Sequence, residues 1–319
     1  MGKSILFISS TRVGDAILST GILERLITDN PRARLTVACG PAAAPLFEAA
    51  PGLERIIVLE RMALSLHWPV LWASCVGRVW DVLVDLRRSP MYYVVAARRR
   101  LSLELSSRPQ HRVRQLAHVL GLGDNPPPPK LWAGRRHVDQ AERLIPTGGP
   151  VLAVGPTANW RAKTWRASRF AELARRLTGP GSILPGARVA IFGRDDERPQ
   201  AMALIEAIPD ERRIDLVGRV DLLTAFACFA RCRLYVGNDS GLMHLAAASA
   251  TPTLGLFGPS REELYAPWGE NCATVRTDAS FDDIHPPGFD HLTSDSLMDG
   301  LSVDKAAAAA SRLWERVGQ

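Results

Sequence analysis

The sequence predicts an α/β protein made of two doubly wound domains, each built on a parallel sheet. Three observations carry this prediction. Short β-type runs alternate with helical patterns along the chain, the rhythm of βαβ units. Runs such as residues 5–8 and 151–154 are apolar without strict alternation, as in strands covered on both faces. The 319 residues exceed one ordinary domain and fit two of roughly 150 each.

In the first half, strands are expected at 4–9, 34–38, 55–59 and 82–86, with helical segments at 15–28, 42–49 and 64–79. The rhythm stalls at four prolines, 126–129, then at a polar helical piece, 138–145, and at Gly148-Gly149-Pro150. Proline and glycine break regular structure, so this region is read as the linker. Beyond it, strands are expected at 151–154, 188–192, 214–217, 234–236 and 253–257, with helices at 168–177, 199–207, 222–230 and 242–249. The expected domains are 1–149 and 150–302, followed by a helix at 303–317 within a tail, 303–319, read as packing back on the N-terminal domain. Two such sheets facing each other leave a cleft, and ligands belong at the carboxyl ends of the strands.

Composition narrows the function. Hydrophobic residues make up 46% and charged residues 23%, enough for two cores and too apolar for disorder. No stretch approaches the roughly 20 apolar residues of a membrane span, so a cytoplasmic protein is expected. Cys39, Cys75, Cys228, Cys232 and Cys272 form no CxxC pair and no zinc spacing, and read as core residues of a reducing compartment. The net charge of +6 is uneven: residues 1–150 carry 20 Lys/Arg against 12 Asp/Glu, and residues 151–319 carry 19 against 21. A basic first half suits an anionic membrane, nucleic acid or an acidic substrate.

The most informative stretch is 234–260. A strand runs into Gly237, Asn238, Asp239, Ser240 and Gly241, where a helix begins. Asp239 or Ser240 is expected to cap it. The N–H groups of Gly241, Leu242 and Met243, with the helix dipole, suit a diphosphate. His244 lies within reach of such a phosphate, and Gly258-Pro259-Ser260 follows the next strand as a second wall.

DSGxxHLAAA, followed by a Thr-Pro, a strand and Gly-Pro-Ser, resembles glycosyltransferase family 9, the bacterial ADP-heptose–lipopolysaccharide heptosyltransferases. The resemblance implies the GT-B fold, two Rossmann-like domains facing a cleft. It also implies an inverting transfer of heptose from ADP-heptose to the lipopolysaccharide inner core. The loop ending Gly14-Asp15 is similar to the family's loop that carries the proposed base, so Asp15 takes that role and Gly14 is placed with the acceptor. Gly21 stands where relatives usually have proline. Lys163-Thr164-Trp165 resembles the family's lysine-x-tryptophan segment, which implies a catalytic Lys163 on the donor diphosphate; Arg166 follows where relatives often have proline. Hydroxyl residues of relatives fall at Ala158 and Asn159, leaving Thr157 as the substitute. Glu197 matches the ribose-binding glutamate, with Asp195 and Asp196 as rivals, and Val220 falls on the adenine-side turn.

In Asp85-Leu86-Arg87-Arg88-Ser89, Arg87 and Arg88 replace the family's amide and glycine. With Arg98, Arg99, Arg100, Arg108, His111, Arg112 and Arg114 they form a basic stretch suited to an acidic glycolipid of the lipid A–Kdo type. Arg87, Arg88 and Arg112 are the candidate acceptor contacts. The expected partners are a nucleotide-sugar donor, that acceptor and peripheral contact with the inner membrane surface, without nucleic acid. No cofactor or metal is expected beyond the nucleotide sugar as co-substrate. A GT-B enzyme using a UDP- or GDP-sugar for another surface glycan remains open. A nucleotide-dependent oxidoreductase lacks its G-x-G-x-x-G turn after the first strand. A non-catalytic nucleic-acid-binding protein would leave the DSGxxH element unexplained.

Overall fold

A computed structural model of the chain describes residues 2–104, 109–123, 125–285, 288–290 and 293–318. The chain divides into two compact units, Met1–Gly134 and Arg135–Gln319. The first contains β1 (Ser4–Ile8), α1 (Val13–Asp29), β2 (Arg34–Cys39), β3 (Leu53–Val58), α2 (His67–Cys75), β4 (Trp80–Asp85), α3 (Met91–Val94), β5 (Ala97–Ser102) and α4 (Arg112–His118). Its sheet is parallel throughout, in the order β3-β2-β1-β4-β5. Ile5 to Ile8 are fully buried, because helices cover both faces of the central strand.

The second unit contains α5 (Arg135–Leu144), β6 (Val151–Gly155), α6 (Ala167–Thr178), β7 (Arg188–Ile191), α7 (Arg198–Ala207), β8 (Arg213–Asp215) and α8 (Leu222–Phe229). It continues with β9 (Leu234–Asn238), α9 (Gly241–Ala248), β10 (Thr253–Phe257), α10 (Glu262–Tyr265), β11 (Cys272–Arg276) and α11 (Val303–Val317). Its parallel sheet has the order β11-β10-β9-β6-β7-β8. Chain direction across the sheet reverses between β1 and β4 in one unit and between β6 and β9 in the other. A crevice opens at such points beyond the carboxyl ends of the strands.

Several expectations are corrected. The unit boundary lies at 134/135, before the polar helix rather than after it. Helix α5 is fastened to the second unit by polar contacts: Gln140 accepts from the Thr224 hydroxyl at 3.3 Å, and Ile145 O accepts from Arg231 Nε at 2.6 Å. Its buried apolar repeat, Ala141 and Ile145, is a single turn long, too short to read as a core helix. Helix α11 also belongs to the second unit, where Ala306, Ala309, Ala310 and Leu313 are buried in its core cluster. Its apolar face is taken up by that core.

The helix expected at 42–49 is a short 3-10 turn, Ala44–Phe47, and that expected at 64–79 contracts to α2. Strands β5 and β11 went unread. Arg98, Arg99 and Arg100 are exposed along β5, and an edge strand tolerates charges that a central strand would not. Among the described residues no helix is long and apolar enough to cross a membrane. All five cysteines are free; burial pushes Cys75 up to about 11 and Cys39 and Cys228 up to about 12.

Gly21 has a local reason. A Cβ there would stand 2.3 Å from Pro127 O and 2.7 Å from Pro128 O, so the proline run lies directly against α1. The Thr20 hydroxyl accepts from Lys130 N at 3.0 Å and fixes the same segment. Gly21→Ala should therefore destabilise the protein by about 1–3 kcal/mol, overriding the gain of up to ~1 kcal/mol in helix propensity. Urea unfolding of wild type and variant measures this.

Candidate active site

In the second unit the site is built where β6 and β9 end. Asn238, the last residue of β9, is fully buried; its side-chain oxygen accepts from Trp165 N at 3.0 Å, and its amide donates to Pro156 O at 2.9 Å. One side chain thus joins the loop leaving β6 to the end of β9. Trp165 is itself buried, edge-on to Phe170 with ring centroids 5.0 Å apart, and its indole donates to Leu301 O at 2.9 Å. Arg166 grips Asp299, with Nε at 2.7 Å from Oδ1, and lowers that carboxyl below its usual range.

Held by this loop, Lys163 places its ammonium 3.2 Å from Asp239 Oδ2, both side chains nearly enclosed at 13% and 10% exposure. The ammonium also lies 5.1 Å from the Trp160 ring. Ser240 is the N-cap residue of α9, with extended backbone, but its hydroxyl makes no cap bond. The expected side-chain cap is therefore absent among the described residues, because Asp239 is committed to Lys163. Gly241 and Leu242 form the first turn of α9, and His244 follows them, 4% exposed. The amides of that turn have no side-chain cap in front of them and carry the positive end of the helix dipole.

Thr157, after β6, donates to Glu197 Oε2 at 2.8 Å, and Arg194 N donates to the same oxygen at 3.1 Å. Of the three neighbouring acids, Glu197 alone is drawn to the end of β6. Asp196 pairs with Arg194, and Asp195 packs against Gly218, where a Cβ would stand 2.7 Å from the Asp195 Cβ. Gly218 N donates to Gly193 O at 2.9 Å, bringing the turn that carries half-buried Val220 beside the Glu197 turn. Thr157, Lys163, Glu197, Val220, Asp239, Ser240, Gly241, Leu242 and His244 thus all lie in one unit. The turn at 258–260 follows β10, the neighbour of β9.

In the first unit, Gly14 and Asp15 fall in the first turn of α1, just beyond β1. Arg112 of α4 places Nε 3.7 Å from Asp15 Oδ1, so the structure brings together two residues 97 positions apart that the sequence assigned separately to base and acceptor. Asp85, fully buried, accepts from Arg87 N, Ser89 N and the Ser89 hydroxyl at 2.9, 2.7 and 2.9 Å. This turn holds Arg88 in a left-handed conformation, φ +53°, which a glycine would adopt without strain.

Arg87 and Arg88 separate. Arg87 stacks 4.6 Å from the centroid of Trp68, and burial lowers its pKa. Arg88 lines a cavity of about 480 Å³ with Ser89, Tyr92, Arg100, Ser102 and His118. Arg98 pairs with Asp81 at 2.7 Å, and Arg100 donates to the backbone carbonyls of Tyr92, Val95 and Ala97. These two are therefore bound into the fold, and the basic stretch is not uniformly available to a ligand. Arg108 lies outside the described residues.

Asn238 and Tyr235 escaped the sequence reading. The signal for Asn238 was a lone amide ending a buried strand. The hydroxyl of fully buried Tyr235 occupies the space that side chains on Gly155 and Gly237 would take. Replacing Asn238 with Ala should strand the Trp165 N–H and the Pro156 carbonyl. A loss of about 2–4 kcal/mol is expected, readable as a lower denaturant midpoint at unchanged slope.

A model of glycosyltransferase family 9 (heptosyltransferase) matches residues 85–282, more than half of the chain. Lipooligosaccharide heptosyltransferase 2 of Haemophilus influenzae is 25% identical, over 86% of this chain and 88% of that protein. Lipopolysaccharide heptosyltransferase 2 of Escherichia coli is 30% identical over 50% of this chain and 47% of its own length. A family 9 glycosyl transferase from Veillonella parvula superposes with a TM-score of 0.78 at 20% identity, covering 98% of this chain and 97% of that one. The E. coli ADP-heptose lps heptosyltransferase II superposes with a TM-score of 0.74 at 20% identity, covering 99% and 100%. The family match over more than half of the chain, with two parallel α/β domains of the GT-B type, makes the chain a glycosyltransferase, a member of glycosyltransferase family 9.

Proposed function

We propose that this enzyme transfers a heptose from ADP-heptose to the inner core of lipopolysaccharide, with inversion at the anomeric carbon. The observation that carries the reading is the Lys163–Asp239 pair set before the uncapped N-terminus of α9. A compact cation beside free amides suits a leaving diphosphate, and such preorganised charge contributes several kcal/mol to a transition state. The names of the relatives direct the choice of sugar and acceptor.

An acceptor hydroxyl attacks the anomeric carbon from the face opposite the diphosphate. Asp15 takes the hydroxyl proton, and Arg112 holds that carboxylate in place. The bond to the diphosphate breaks as the sugar gains oxocarbenium character. Lys163, Gly241 and Leu242 meet the charge that develops on the departing oxygens, and His244 supports the same turn. Glu197 and Thr157 receive the ribose, Val220 the adenine, and Asp239 and Ser240 the sugar–diphosphate end. Gly14, Arg88 and Arg112 belong to the acceptor side, with Arg88 and its cavity suited to an anionic sugar of a lipid A–Kdo acceptor, while Arg87, stacked on Trp68, supports that side from within. The reaction is proposed to need no metal, since cation and amides carry the charge; turnover should survive chelation with EDTA. The protein works in the cytoplasm, in peripheral contact with the inner membrane.

Calorimetry with ADP, UDP, GDP and their sugars tests the donor, and preference for ADP-heptose is the expected result. A preference for UDP- or GDP-sugars removes the heptose assignment. Asp15→Asn should lower kcat by roughly 10²–10⁴-fold with ADP affinity nearly unchanged. Lys163→Ala should weaken ADP binding and kcat together, measured well below the melting temperature of the variant. Wild-type turnover in either variant removes the corresponding role.

A further inference from the structure

Large apolar side chains left in water are concentrated in one part of the first unit. Among the described residues twelve large hydrophobics are exposed, and ten of them fall between residues 58 and 94. Helix α2 is the centre of this group. Trp68, Leu71 and Cys75 face the core, and Met91 and Val95 at α3 pack into the same core cluster, so the two helices share an outer surface. Around the two helices Leu64, Leu66, Val70, Trp72, Val76 and Tyr93 are each at least 42% exposed. No residue of α2, His67 to Cys75, is charged. A helix that is apolar all round is normally enclosed.

The approach to α2 is strained in the same sense. Leu64 and Ser65 adopt left-handed conformations, φ +51° and +58°, and Leu64 is 93% exposed. A left-handed conformation costs a bulky residue about 1–2 kcal/mol, and here it presents a leucine to solvent. An occupant that accepts apolar side chains would offset both costs.

The surrounding charge identifies the occupant. Residues 60–100 hold seven arginines and three acids, of which Asp85 is buried. Arg61, Arg88 and Arg99 are exposed and form no ion pair with a described residue. A second copy of the chain docking on this region would bring one excess of positive charge against another. An anionic lipid surface offers apolar depth for leucine and tryptophan together with phosphates for the arginines of the region. Trp72 and Tyr93 are residue types that favour that boundary.

We propose that residues 62–76 with α3 form the element by which this enzyme lies on an anionic bilayer, Leu64 and Trp72 entering the acyl boundary. This deepens the peripheral membrane contact proposed above and rests on it for its biological role. Sedimentation with sucrose-loaded vesicles tests it, using phosphatidylethanolamine–phosphatidylglycerol against phosphatidylcholine, without lipopolysaccharide. Wild type should partition onto the anionic vesicles, less so at high salt. Leu64→Ser combined with Trp72→Ser should weaken partition roughly tenfold or more. The same variant should keep its melting temperature and its transfer to a water-soluble, deacylated acceptor.

Equal partition of variant and wild type overturns the assignment of the surface while leaving membrane contact intact. No partition of wild type onto anionic vesicles overturns both. A wild-type dimer that the variant dissolves, without vesicle binding, assigns the surface to a second copy and overturns the proposal. Partition lost in the variant, with no transfer by wild type to any lipopolysaccharide acceptor, supports the docking surface and removes the reaction assigned above.

Discussion

A buried amide bridges the two loops on which the second unit's site is built. Asn238 ends a central strand where water is excluded, and there each polar group must find a partner. By accepting from Trp165 and donating to Pro156 it sets the path of the loop that carries Lys163. Trp165 then anchors the loop in the core, while Arg166, Arg169 and Ser296 tie it to the segment before α11. The ammonium and the carboxylate of Asp239 meet because both ends of this bridge are fixed. The expense of an unpaired polar group in the interior thus becomes geometric precision at the surface.

The first unit uses the same device with a different group. Buried Asp85 gathers three donors from its own turn, and burial raises its pKa while those donors oppose the rise. The turn so formed sends Arg87 onto Trp68 and leaves Arg88 at a cavity. Two adjacent arginines, chemically identical, thereby acquire separate duties: one completes the packing around α2, the other is available to a ligand. The apolar outer surface of α2 lies in the region that Arg87 supports from within.

Much of this was legible because parallel α/β sheets leave a strong imprint. Strands β1, β6, β9 and β10 read directly, since helices on both faces demand continuous apolar runs. The strand end and helix start around Gly241 read directly, because glycine and small polar residues mark such a turn. Strand β5 did not read, because its arginines sit at an edge where the usual composition rule lapses. Helix α5 read as a linker because polar contacts, invisible to hydrophobic periodicity, attach it to α8. Ser240 read as a cap, yet its hydroxyl does not reach the helix amides, and Asp239 is drawn away by a lysine 76 residues distant.

The sequence by itself determined the alternation of strands and helices, the glycine-bounded helix start at 241 and the residue types suited to phosphate and sugar chemistry. These are local properties, set by periodicity, dihedral freedom and the chemistry of single side chains. Only the tertiary structure decided that Lys163 meets Asp239, that Thr157 meets Glu197 rather than either neighbouring acid, and that Arg112 stands against Asp15. It alone decided that α11 closes the second core and that the outer face of α2 remains bare. Each of these is a choice among partners far apart in the chain, and packing makes that choice through distance and exclusion of water, which no local pattern encodes.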